Sequence, residues 1–109
     1  MTDAVLLTLC TCPDDASAER IAATLVAERL AACVNRVSGL LSIYRWQDAV
    51  EHANETLLLI KTSEARFDAL AERLRALHPY ELPEVIAVPI AKGLPEYLQW
   101  VRTCTVDQA

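Results

Sequence analysis

A chain of 109 residues with two glycines and 53% apolar side chains has the length of one domain, 1–109, and enough apolar material to fold compactly. Its formal charge of -5, with lysine and arginine scattered along the chain, excludes the clustered cations that a nucleic-acid surface needs. The N-terminal apolar run from Ala4 to Cys10 is broken by Thr8, falls far short of a membrane span, and follows Asp3 where a secretory signal carries positive charge, so a cytoplasmic protein with no membrane partner is expected.

Ala4 to Cys12 is rich in leucine, apolar on both faces, and stops at Pro13, which predicts a first strand. Asp14 is placed to cap a helix from about Asp15 to Leu30, in which Ala18, Ile21, Ala22, Leu25 and Val26 recur at helical spacing, mostly opposite Glu19, Arg20, Glu28 and Arg29. Cys33 to Val37 and Leu40 to Trp46 read as one long strand bent at Gly39, where a missing side chain marks a bulge. A turn at Gln47-Asp48 returns the chain through a second arm. One face carries Val50, His52, Asn54, Thr56, Leu58 and Ile60, the other Glu51, Ala53, Glu55, Leu57, Leu59 and Lys61, so the arm goes from polar to apolar as it returns.

Ser63 is positioned to cap the next helix, whose stripe of Phe67, Leu70, Ala71, Leu74, Leu77 and His78 opposes Asp68, Glu72, Arg73 and Arg75. Pro79 drives the residue before it out of the helical region and Pro83 has no N–H for a ladder, so the helix must end near His78 and a strand can start only near Glu84. The stiff connector His78-Pro79-Tyr80-Glu81-Leu82-Pro83-Glu84 presents an imidazole, a phenol and carboxylates with few free dihedrals, as a binding loop on a rigid scaffold requires. Val85 to Ile90 supplies a last apolar strand, Lys92-Gly93 turns the chain, and Pro95 suits the first position of a short helix over Glu96 to Val101.

Strand, helix, strand, strand, helix, strand is the split βαβ order of an α+β, ferredoxin-like βαββαβ subunit: a four-stranded antiparallel sheet with both helices on one face. Two helices shelter one side only, yet several strands are apolar on both. At roughly 25 cal/mol per Å², hiding ~400 Å² of that side in each subunit contributes about 10 kcal/mol before association costs, so a homo-oligomer packed sheet against sheet is expected. The long Leu40–Ile60 hairpin points the same way, because a lone two-stranded ribbon is marginal in water.

Four cysteines in a short chain invite a disulfide reading, but Cys10 and Cys12 lie two apart on one strand and Cys33 sits in an apolar stretch, so free thiols are expected. A structural zinc site has no C-x-x-C or paired H-x-x-x-H to rest on. No enzyme signature is present: Cys33 has no base following it, no G-x-S-x-G occurs, and Gly39 and Gly93 are too few for a phosphate-cradling loop.

Taken together and in order, Cys10-Thr11-Cys12-Pro13-Asp14, Ala31-Ala32-Cys33-Val34-Asn35, Ser42-Ile43-Tyr44-Arg45-Trp46, Ile60-Lys61-Thr62 and His78 to Glu84 closely resemble the CutA family of divalent-cation tolerance proteins, from about Leu6 to Val101. The resemblance implies a tight homotrimer shaped like the PII signalling proteins, clefts between subunits, and a link to copper or another divalent cation. It also implies metal contact through a first-strand cysteine and two adjacent histidines before a Pro-Tyr pair. The matching positions here are Cys10, Leu77 and His78, so one histidine is replaced.

Cys10 and His78 form a soft donor pair suited to copper, with a third ligand to come from Cys12, Glu84 or a neighbouring subunit; plain core packing of the cysteines is the competing reading. A second candidate is a small-molecule cleft in which Tyr44, Trp46, Glu55, Lys61, Tyr80, Glu84 and Trp100 converge between subunits. Lys61 follows four apolar residues, so it needs either a carboxylate such as Glu84 or an anionic ligand.

Overall fold

The computed structural model describes residues 3–107, in which leucine-rich β1 (Val5–Cys12) is followed by α1 (Asp15–Ala27). A hairpin of β2 (Cys33–Trp46) and β3 (Ala49–Ser63) leads through a single 3-10 turn, Glu64–Arg66, into α2 (Phe67–Leu77). A four-residue β4 (Ile86–Pro89) and α3 (Pro95–Cys104) complete the chain. The strands form one antiparallel sheet in the order β2-β3-β1-β4, the ferredoxin-like arrangement, with β3 and β1 central.

Alternation along the strands sorts the sheet into two faces. Cys10 and Cys12 of β1 and Leu58 and Ile60 of β3 point to the helix side, where they are fully buried in one cluster with Ala18, Ile21 and Leu25 of α1 and Leu70 and Leu74 of α2. On the opposite face, Leu7 and Leu9 of β1 and Leu57 and Leu59 of β3 are only half-buried, and Ile86 and Val88 of β4 are exposed. The third helix corrects the expectation of a wholly uncovered face. It packs against β3 and β1, with fully buried Val101 and with Thr105 donating to Ser63 Oγ at 3.1 Å, so it shelters the corner around Val5 and leaves the rest open.

Asp14 caps α1 as its position predicts: in extended backbone, its carboxylate accepts the Ser17 N–H at 2.7 Å, which holds it below the ordinary value of 3.8. Asp15 Oδ1 accepts from Thr56 Oγ1 at 2.6 Å and Ser38 Oγ at 2.8 Å, and the Thr56 and Ser38 hydrogen bonds depress that carboxyl too. These bonds tie the start of α1 to the β2 bulge, where the register breaks between Val37 and Leu40 and Gly39 adopts φ +79. Because both aspartates titrate lower in the folded chain, their stabilisation is complete above about pH 4 and is lost as pH falls through the depressed values. Asp14→Asn with Asp15→Asn is therefore expected to flatten the acid limb of a urea-midpoint against pH plot; an unchanged limb would contradict these contacts.

Other sequence boundaries shift for identifiable reasons. Helix α1 stops at Ala27 rather than Leu30, because Arg29 takes φ 60 and the Leu30 N–H donates back to Leu25 O at 2.9 Å, a Schellman closure that buries Leu25 against Leu30. Ser63 makes no side-chain cap; its hydroxyl is held by Thr105 and the 3-10 turn intervenes, so α2 begins at Phe67. Strand β4 spans Ile86–Pro89 rather than Val85 to Ile90, since Val85 packs partly buried against the core and only the Ile90 N–H, donating to Val5 O at 3.0 Å, continues the pairing. The hairpin turn falls at Gln47-Asp48 as expected, with both residues left-handed at φ 49 and 66, the twist a two-residue turn demands. Helix α3 extends past Val101 to Cys104.

Candidate functional site

Pro79 ends α2 as the sequence requires, leaving His78 in extended backbone at φ -76, ψ 138. The ring turns back under the end of β1. His78 Nε2 lies 2.8 Å from Thr11 O and Nδ1 accepts the Tyr80 N–H at 3.0 Å, which sets the proton on Nε2. Beside it stand the alternate thiols of β1: Cys10 Sγ, Cys12 Sγ and a ring nitrogen of His78 lie within 4.8 Å of one another, and all three residues are buried. The Cys10 thiol donates to Thr11 O at 3.8 Å, and the neighbouring Cys12 thiol, burial and the nearby carboxylates of Glu84 and Glu55 push it above the ordinary thiol range. Cys12 is lowered, chiefly by the Cys10 thiol beside it. None of the four cysteines is in a disulfide.

The donor set is that of a soft cation, two sulfurs and an imidazole, which copper in either oxidation state accepts. Both ring nitrogens are already hydrogen-bonded, so the imidazole offers a lone pair only by releasing the Tyr80 amide. Leu77, where the resemblance implied a second histidine, packs partly buried against the core.

On the far side of Tyr80 opens a cleft of about 670 Å³ between the hairpin and the proline-pinned loop. Tyr44, Trp46, Glu55, Tyr80 and Glu84 all line it, as do Thr11, Ser42, Glu81 and Leu82. Glu55 is its most enclosed carboxylate, 8% exposed, and accepts the Tyr80 hydroxyl at 2.7 Å. Burial and that hydrogen bond raise the Tyr80 phenol well above its ordinary range, so it stays protonated and donating. The Tyr80 ring also leans on His78, centroids 4.8 Å apart, which joins cleft and thiol cluster through one side chain.

Two expected members do not join the cleft. Lys61, opposite Leu7 and Cys33 in the sheet, donates to the Asn35 side chain and not to Glu84, because the β2–β3 register sets Asn35 diagonally beside it on the same face. Trp100 stacks on Tyr97 within α3, centroids 5.5 Å apart. Ser42 and Thr11 were within reach of the sequence: Ser42 alternates with Tyr44 and Trp46 along β2, and Thr11 stands between the two cysteines of β1.

An antiparallel ferredoxin-like sheet with buried soft donors at one strand end and a carboxylate-lined cleft beside them defines a small α+β protein with a candidate soft-cation site. The chain belongs to the CutA family, matching "CutA1 divalent ion tolerance protein" over residues 6–104. It is 53% identical over 105 residues to the divalent-cation tolerance protein CutA of Thermus thermophilus, covering 96% of this chain and 99% of that one. It is 46% identical to the mouse protein CutA over 95 residues, 87% of this chain and 54% of the mouse protein, so it spans about half of that relative. A solved CutA1 structure from Thermus thermophilus superposes with a TM-score of 0.92 at 53% identity, over 94% of this chain and 99% of that one. The crystal structure of CutA1 from Oryza sativa gives 0.93 at 41% identity, over 98% of both chains. Among the described residues no helix is long and apolar enough to cross a membrane.

Proposed function

We propose that the chain acts in the cytoplasm as a homotrimeric metal-tolerance protein that binds a divalent cation, copper foremost, through Cys10 and His78. The observation that carries this reading is the convergence of Cys10, Cys12 and His78, three soft donors from two distant parts of the chain, within 4.8 Å. Bound copper would supply a Lewis-acidic, redox-capable centre; the chain's own part is to gather the donors, exclude water around them and give up thiol protons as they ligate. Release of the Tyr80 N–H by His78 Nδ1 would accompany ligation and loosen the loop that carries Glu81 and Glu84.

The role is binding rather than catalysis. Tyr80 is the one lining hydroxyl hydrogen-bonded to a carboxylate among the described residues, and its phenol is shifted away from the anion, not toward it. The alternative of a PII-like sensor of small anions gains little from the cleft, whose charged lining residues Glu55, Glu81 and Glu84 are all acidic.

Copper affinity measured by competition with a chelator tests the reading. Cys10→Ser with His78→Ala is expected to weaken binding by well over tenfold, about the effect that losing an outer hydrogen-bonding partner alone has at metal sites. Equal affinity of wild type and double variant would overturn the assignment.

A further inference from the structure

We propose that the cleft between the β2–β3 hairpin and the 78–84 loop is a receptor site for a small organic cation of the alkylammonium class. Its walls hold three aromatic rings, Tyr44, Trp46 and Tyr80, and three carboxylates, Glu55, Glu81 and Glu84, and among the described residues no lysine or arginine lines it. That composition repels anions and offers a cation both charge and π-faces. Its volume of about 670 Å³ lies within the roughly 300–1,000 Å³ of small-molecule sites.

Glu55 is the second, independent observation. The residue is 92% buried, its carboxylate lines the cleft, and among the described residues it forms no ion pair; the neutral Tyr80 hydroxyl is its hydrogen-bond donor. A carboxylate so enclosed is costly without a positive partner, and the cleft is where one has room to approach.

Aromatic walls select the kind of cation. A hard metal ion such as calcium collects six to eight oxygens, whereas here one carboxylate belongs to a buried residue, the other two to exposed residues, and three aromatic rings line the same cleft. An alkylammonium head uses what is present: its diffuse charge rests on the Trp46, Tyr44 and Tyr80 rings, Glu55 neutralises it, and Ser42 and Thr11 offer hydroxyls to a polar tail. This site adjoins the thiol cluster through Tyr80 but does not require that metal bind there.

Calorimetric titration of the full-length, assembled protein with choline and with 3,3-dimethylbutan-1-ol, its uncharged isostere, provides the test. Choline is expected to bind at least about tenfold more tightly than the alcohol, and Glu55→Gln to abolish that preference while leaving the alcohol unchanged. A folding defect in that variant does not blunt the test, because Trp100→Phe leaves Trp46 as the sole tryptophan of the two in the chain, and its emission should shift with choline and not with the alcohol. Equal binding of the two compounds, no binding of choline at millimolar concentration, or displacement of choline by equimolar calcium would each overturn the proposal.

Discussion

Leu58→Ala is expected to lower the unfolding free energy by about 2–5 kcal/mol, a large share of the roughly 5–15 kcal/mol that such domains possess. Leu58 is fully buried on central strand β3, opposite Cys10 of β1 and Arg36 of β2, and its cluster includes Ile21, Leu25, Leu70 and Leu74 from both helices of that side. Truncation removes buried methyl groups and leaves a cavity between elements already held by other contacts, so collapse can recover only part of the loss. Urea unfolding at one fixed protein concentration should show a lower midpoint with an unchanged slope. A loss below about 1 kcal/mol would mean that this layer is not the principal core.

Leu59→Asp, one residue along and on the opposite face, is expected to act on assembly. Leu59 lies opposite Leu9 of β1 and Asn35 of β2, near half-buried Leu7 and Leu57 and not far from Ile86 and Val88, which are 54% and 51% exposed. Helix α3 shelters only the corner beyond Ser63, so the rest stays open in one chain, and in the proposed trimer the other two copies cover it. A carboxylate at Leu59 would enter this apolar face with only the Lys61 ammonium, already held by Asn35, as a nearby charge, and burying it against other copies is a cost large enough to split the assembly. Sedimentation should find the wild type at three times the 12.0 kDa of one chain and the variant at 12.0 kDa. A wild-type chain that sediments as a single copy when dilute would end the trimer reading and show that the open face tolerates water.

Much of this was legible before any coordinates. Pro79 alone dictates that His78 leaves the helix in extended backbone, and alternation along β1 and β3 announces strands apolar on both sides, because both follow from the sterics of a few neighbouring residues. The same local rules misjudged the ends of elements. Nothing in the periodicity of α1 signals that Arg29 will turn left-handed, since the Schellman closure there is stabilised by Leu30 joining the core beside Leu25.

Composition and pattern thus determined the βαββαβ order, the stiff 78–84 loop and the excess of apolar sheet. Tertiary structure decided the partners. Lys61 found the Asn35 amide instead of Glu84, Tyr80 reached Glu55 across 25 residues of chain, and His78 met Thr11 across 67. Periodicity states which way a side chain points from its own element, whereas a hydrogen bond depends on where a second element lies, and that is set by strand register and by how closely the helices settle on the sheet.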